Sequence, residues 1–280
     1  MPTIAHYHRP PDLDTAWGLL RDAGGSARLL AGGSHLVLRC PPEVDTLIDL
    51  SAAGLSGVTP RADGSLAIGA MTTFSDLLAA ASVTDHLGGL LHDVLADFGS
   101  VLHRNQATVG GHLARAWMSD LIPGLLAADA EVVVRTEDTR TQPLADYLAA
   151  PPGAHVLTEV HLPAPVSPAA GAFTRFSRSA FDHALLNVAC VAHLDAGSVR
   201  TARVVIGETG VLGRRLPDAE AALTGRPLTE ATIRAAAQAV VAGLDPRQDA
   251  LASADYRRHL AGVGTRRCLQ LAAQRLGEVA

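Results

Sequence analysis

Cysteine, aromatic side chains and long apolar runs are all scarce in this chain. Its three cysteines, Cys40, Cys190 and Cys268, stand far apart without CxxC spacing. That pattern excludes an iron–sulfur cluster or a thiolate zinc site built within the chain and leaves three buried or unremarkable thiols. Aromatic residues make up 4% of the sequence while alanine is abundant, a compositional bias more than a mark of function. No stretch of about twenty uncharged apolar residues occurs. The N-terminal MPTIAHYHRPPD also lacks a basic start followed by an apolar run, so no membrane association is expected and the cytoplasm is the expected compartment. A net charge of −5 and a pI near 6.2 come with no dense basic patch, which argues against nucleic acid as a partner. No repeat period is visible.

What is present is a chain of 280 residues, 48% hydrophobic, long enough for two or three subdomains. A short strand around Ile4 and Tyr7 ends at Pro10-Pro11, and Asp12 can cap a helix over 14–23 that stops at Gly24-Gly25. Strand signals follow at 27–30, 46–50 and 64–70. Thr73 is placed to cap a helix over 74–81, with Asp76 at its positive end, and the spacing of Leu90, Leu91, Val94 and Leu95 predicts a further helix over 87–99. Beyond it lie a strand at 131–134, a polar turn at 135–140, a short helix or loop at 143–148, and a strand at 154–163. A proline-rich linker at 164–170 marks a change of composition. Past the linker, 184–194 and 199–206 read as an antiparallel hairpin turning at Asp195-Ala196-Gly197-Ser198. Helices at 218–223, 229–242 and about 253–277 finish the chain. The fold class is α+β, with strands and helices in both halves.

Two glycine pairs hold the chemical interest. Gly32-Gly33 lies in LLAGGSHLVL, between a strand-like entry and an apolar segment, and Gly110-Gly111 lies in ATVGGHLARAWMSD. Adjacent glycines leave no Cβ in the way, so backbone N–H groups can reach an anion such as a diphosphate at contact distance. Neither pair fits GxGxxG, so the Rossmann fingerprint is absent.

These pieces combine with Tyr7, Arg9-Pro10, IGAMTTFSDL, VLTEVHLPAP, FTRFSRSAFDHALLNVA and DYRRHLAGVGTRRCLQLAA in an order and spacing that resembles the FAD-binding medium subunit of molybdenum hydroxylases, the carbon monoxide dehydrogenase and xanthine dehydrogenase family. The resemblance implies a two-subdomain FAD-binding fold of the vanillyl-alcohol oxidase (PCMH) type over 1–165, split at about 1–55 and 56–165, and a small α+β C-terminal domain over 171–280. It implies FAD held without a covalent bond, with the diphosphate between two loops: Ala31, Gly32, Gly33, Ser34, His35 and Leu36 in the first, and Thr108, Val109, Gly110, Gly111 and His112 in the second. Ser119 and Asp120 match the family's Ser-Asp pair near the cofactor, and Leu157 matches an aliphatic residue near the flavin ring. The implied function is electron transfer as a subunit of a dehydrogenase complex, from the two [2Fe-2S] clusters of a small chain, supplied by a molybdopterin large chain, to NAD, a quinone or oxygen. No catalytic residue and no metal ligand is expected in this chain.

The sequence also departs from the family. His112 stands where asparagine is usual, AWMSD is one residue shorter than the family's ADPxSD, Ser179 replaces a frequent arginine, and a cysteine-rich insertion of some relatives is missing. Trp117 and Met118 either cover the flavin or fill a core gap. Asp182 and His183 are read as structural, and Arg175 and Arg178 as either nucleotide-facing or a solvated basic turn. Two other readings stay open: a stand-alone flavin oxidoreductase with a reshaped pocket, and a scaffold that has lost FAD.

Overall fold

A computed structural model describes residues 3–149, 153–207 and 212–278. The outer ends of the two expected domains, 1–2 and 279–280, lie outside these residues. The chain opens with β1 (His6–His8), α1 (Leu13–Ala23), β2 (Ala27–Leu30) and β3 (Thr46–Asp49). Asp12 caps α1 by accepting from the Thr15 N–H, as its position before the apolar stripe predicts. The three strands form a parallel sheet in the order β1-β3-β2, against which α1 lays Ala16, Trp17 and Leu20. Ligands of parallel sheets gather at the carboxyl ends of the strands, and the first glycine pair leaves the carboxyl end of β2.

The second group is β4 (Val58–Pro60), β5 (Leu66–Gly69), α2 (Phe74–Ala79), α3 (Ala81–Thr84), α4 (Leu90–Ala96), α5 (Val101–Gln106), α6 (Val109–Arg115), α7 (Leu121–Ala127), β6 (Glu131–Arg135), β7 (Thr139–Pro143), α8 (Leu144–Ala149) and β8 (Val156–Leu162). Its strands form an antiparallel sheet in the order β4-β5-β8-β6-β7. The expected helix over 87–99 is interrupted: Leu87 and Gly88 have positive φ (52° and 66°), Gly89 follows at 104°, and α4 starts only at Leu90. Burying Leu87 forces a break that periodicity alone does not reveal. The expected polar turn at 135–140 is also shorter than its composition suggests, because Thr139 to Pro143 pair with β6 as an exposed edge strand.

The third group is β9 (Ala169–Phe176), β10 (Leu186–Asp195), β11 (Ser198–Gly207), β12 (Arg214–Arg215), α9 (Pro217–Leu223), α10 (Glu230–Gly243) and α11 (Ala254–Arg275). The order is β12-β11-β10-β9, antiparallel throughout. The predicted hairpin turns on Ala196 and Gly197, both at positive φ (47° and 75°), as a tight two-residue connection requires. β9 begins inside the stretch read as linker. Its Ala170, Gly171 and Ala172 are small enough to let α4 and α11 pack on both faces of the sheet.

Candidate flavin site

The first glycine segment is a half-buried turn running from Ala31 through Leu36. Gly33 has φ +69°, a left-handed conformation that glycine adopts without strain. Gly32 has no room for a side chain: a Cβ there would lie 1.5 Å from the carbonyl oxygen of Gln106. The N–H groups of Gly32, Gly33, Ser34, His35 and Leu36 donate to no protein acceptor among the described residues, although the carbonyls of Gly33, His35 and Leu36 accept from Val37, Leu38 and Arg39. A succession of unspent donors in a turn is the chemistry of an anion cradle. Leu36 and the exposed Val37 and Leu38 form no strand, so the apolar segment expected there is surface turn.

The second glycine pair differs from the loop that its sequence suggests. Thr108 is the N-cap of α6, with its hydroxyl accepting from the Gly111 N–H at 3.1 Å, so Val109, Gly110, Gly111 and His112 form the first turn of a helix. Their donors are largely spent: Val109 N–H donates to the Thr72 carbonyl and Gly110 N–H to the Ala70 carbonyl at 2.7 Å. Gly110 is needed for close packing, since a Cβ would fall 2.7 Å from that of Ala70. Gly111 faces the first segment, where its Cβ would stand 3.6 Å from the Ala31 Cβ. The fold therefore brings the two glycine pairs together, with free donors on the first and helix-packing glycines on the second.

The remaining expected residues take different places. His112 is buried between the rings of Phe74 and Phe98 (centroids 4.7 and 5.1 Å away), and its Nδ1 lies 3.2 Å from the Ser119 hydroxyl. Burial, with Arg115, His103 and His35 nearby, pushes its pKa down to about 3, so the imidazole is neutral. Asp120 is 7% exposed and accepts from Asn187 Nδ2 at 2.9 Å, while Arg175 Nε stands 3.4 Å from its other oxygen. It thus ties the start of α7 to β9 and β10. Leu157 is 5% exposed in the core beneath the five-stranded sheet, at the bulge where β8 shifts register on β6.

Of the paired readings left open, Arg175 proves largely buried, donating to the carbonyls of Asp97, Ala180 and Asp182. Arg178 pairs with Asp182, whose carboxyl is held below the usual range chiefly by that hydrogen bond, and Asp182 also receives the His183 N–H. Trp117 is 42% exposed and fills no core gap. Burial, then the cations Arg115 and Arg39, lower the pKa of His35. Sequence reasoning did not single out Asn187, Gln106, Arg39 or Arg115. A polar residue inside the apolar ALLNVACVA was the available signal for Asn187; the others carry none.

A parallel three-stranded lobe and an antiparallel five-stranded lobe, with a glycine turn of free N–H donors on the first facing a glycine-rich helix start on the second, define a two-lobed nucleotide-binding α+β fold carrying an extra sheet-and-helix domain. Residues 3–165 match the family described as FAD binding domain in molybdopterin dehydrogenase, and residues 171–272 match the CO dehydrogenase flavoprotein C-terminal domain. The chain belongs to this family, the FAD-binding subunits of molybdenum hydroxylases, and FAD is its cofactor. It is 31% identical to the 6-hydroxypseudooxynicotine dehydrogenase complex subunit alpha of Paenarthrobacter nicotinovorans, over 98% of this chain and 96% of that protein. It is 29% identical to the xanthine dehydrogenase FAD-binding subunit of Escherichia coli O157:H7, over 98% of each. Among solved structures, carbon monoxide dehydrogenase from Hydrogenophaga pseudoflava superposes with a TM-score of 0.90 at 29% identity, covering 98% of this chain and 99% of that one. No helix among the described residues is long and apolar enough to cross a membrane.

Proposed function

We propose that this chain carries a non-covalently bound FAD between its two glycine segments and relays electrons within a cytoplasmic molybdenum hydroxylase complex. The observation that carries this reading is the run of unspent N–H donors from Gly32 to Leu36, set against the α6 start at Gly111. Ala31, Gly32, Gly33, Ser34, His35 and Leu36 would hold the diphosphate through backbone N–H groups and the Ser34 hydroxyl. Thr108, Val109, Gly110, Gly111 and His112 would close the site from the other side by fixing how near α6 approaches. Ser119, Asp120 and Leu157 would position the walls on the flavin side rather than bind phosphate. The domains would be 1–165, in subdomains of about 1–55 and 56–165, and 171–280.

FAD would supply the redox chemistry, accepting electrons from the clusters of an iron–sulfur small subunit, fed by a molybdopterin large subunit, and passing them to NAD or another acceptor. The protein's part is to bind, orient and shield. No residue here has to act as a general base, because the substrate would be turned over in the large subunit. Expressed with the neighbouring reading frames, the chain should purify with flavin and with iron–sulfur and molybdenum chains. Heat or acid should release the flavin intact, and Gly32→Ala should remove it, because the new Cβ collides with Gln106. A flavin-loaded chain that associates with no such partner would instead point to a stand-alone oxidoreductase.

A further inference from the structure

Of the two tryptophans, Trp17 lies in the core under the parallel sheet, whereas Trp117 stands at the surface just beyond α6. Four side chains from three separate segments converge on its indole. His35, in the first glycine turn, lies 5.9 Å away by ring centroid, and Arg39, at the end of that turn, lies 5.7 Å from the ring. Arg115, on the last turn of α6, lies 5.3 Å away, and its Nη2 also donates to the carbonyls of Trp117 and Met118. His183, in the turn before β10, meets the indole edge at 5.6 Å. Trp117 therefore bridges the first glycine turn and the C-terminal domain.

Its neighbours Arg115, Met118 and His183 also line, with His103, Asp120 and Arg175, a cavity of about 60 Å³. That volume is small beside the roughly 300–1,000 Å³ of ordinary ligand pockets, too small to hold a tricyclic ring. Ala116 and Met118, on either side of Trp117, both hold positive φ (46° and 43°), a conformation strained for residues with a Cβ. What holds the indole down is a set of ring and cation contacts at a surface position, each modest alone, with little burial behind them.

We propose that Trp117 is the gate of the flavin cleft: closed, it latches the first glycine turn to the turn before β10, and its displacement sets how fast FAD leaves and how readily external reagents reach the flavin. The proposal rests on the FAD reading above. It assigns a task to a position where the sequence departs from the family's polar proline turn.

The test compares the flavin-loaded wild-type protein with Trp117→Ala, Trp117→Phe and His183→Ala. FAD release on dilution is followed by the rise in flavin fluorescence, and access to bound flavin by iodide quenching. Losing the indole contacts should speed release and raise the quenching constant about tenfold in Trp117→Ala. Trp117→Phe, which keeps a ring, should stay near wild type, and the exposed His183→Ala, which removes the latch on the other wall, should fall between. A purely structural role would lower the melting temperature while leaving release and quenching unchanged. Unchanged values in flavin-loaded Trp117→Ala, or in His183→Ala should the first variant not fold, would overturn the gate alone. A wild-type chain without flavin would overturn the FAD reading and the gate with it.

Discussion

His112 is neutral in the folded protein because its imidazole is enclosed by Phe74, Phe98 and the Ser119 hydroxyl, with Arg115 adding repulsion to any proton it would take up. The folded-state pKa, about 3, lies below the ordinary histidine value of 6.5. Between these limits the unfolded chain binds a proton that the folded chain refuses. The stability that His112 contributes is therefore complete above pH 6.5 and is lost as pH falls toward about 3. The slope is at most about 1.4 kcal/mol per pH unit. His112→Asn, which can keep a hydrogen bond to Ser119 without titrating, should lose about 2–3 kcal/mol less than wild type between about pH 7 and about pH 4.5 in urea unfolding. Equal losses in the two proteins would mean that His112 is protonated in the folded state. The identity of this residue was legible in the sequence as a departure from the family. Its neutrality was not, because it depends on rings contributed by Phe74 and Phe98.

At the scale of elements, α6 is seven residues long and carries two adjacent glycines, each costing a helix about 1 kcal/mol relative to alanine. Propensity does not hold it. The Thr108 cap does, together with the packing of Gly110 against Ala70 and the bridge from Thr73 to Thr108. Removing the cap by Thr108→Val should cost about 1 kcal/mol of stability and lower the flavin content of the purified protein. Thr229→Val, at the capping box of α10, should cost a similar amount and leave flavin untouched. Thermal melts with flavin absorbance on the same samples separate the two; equal flavin loss in both would refute a local role for Thr108. The caps at Asp12 and Thr73 were readable because capping is a short-range agreement between a side chain and N–H groups two or three residues on. The conversion of the second glycine loop into a helix start was hidden, since its N–H groups find their acceptors at Ala70 and Thr72, far back in the chain.

Across the whole molecule, the C-terminal domain is pinned to the rest by arginine ion pairs. All 23 basic residues are arginine, a planar group suited to bidentate pairing. Arg275, at the end of α11, grips both oxygens of Asp93 on α4 at 2.8 Å and donates to the Gly171 carbonyl as well. Arg203 reaches Asp129, and Asn187 donates to Asp120 across the same junction. Arg275→Met should destabilise the protein by about 2 kcal/mol, and so should Asp93→Asn, because each leaves a partly buried partner unpaired. The double variant should cost clearly less than the sum, as read from denaturant midpoints; simple additivity would show that the pair contributes nothing as a pair.

The sequence by itself determined the α+β class, the strand and helix order through most of the chain and the helix caps at Asp12 and Thr73, because local propensity and turn chemistry are written in neighbouring residues, while the pairing of the two glycine motifs was implied by the family resemblance. Only the tertiary structure decided that the first glycine segment keeps its N–H groups free while the second spends its own. It also decided that Asp120 serves the junction with the C-terminal domain, and that Trp117 stands exposed between His35 and His183. Those outcomes depend on contacts between residues tens of positions apart, and no local pattern carries the distance between them.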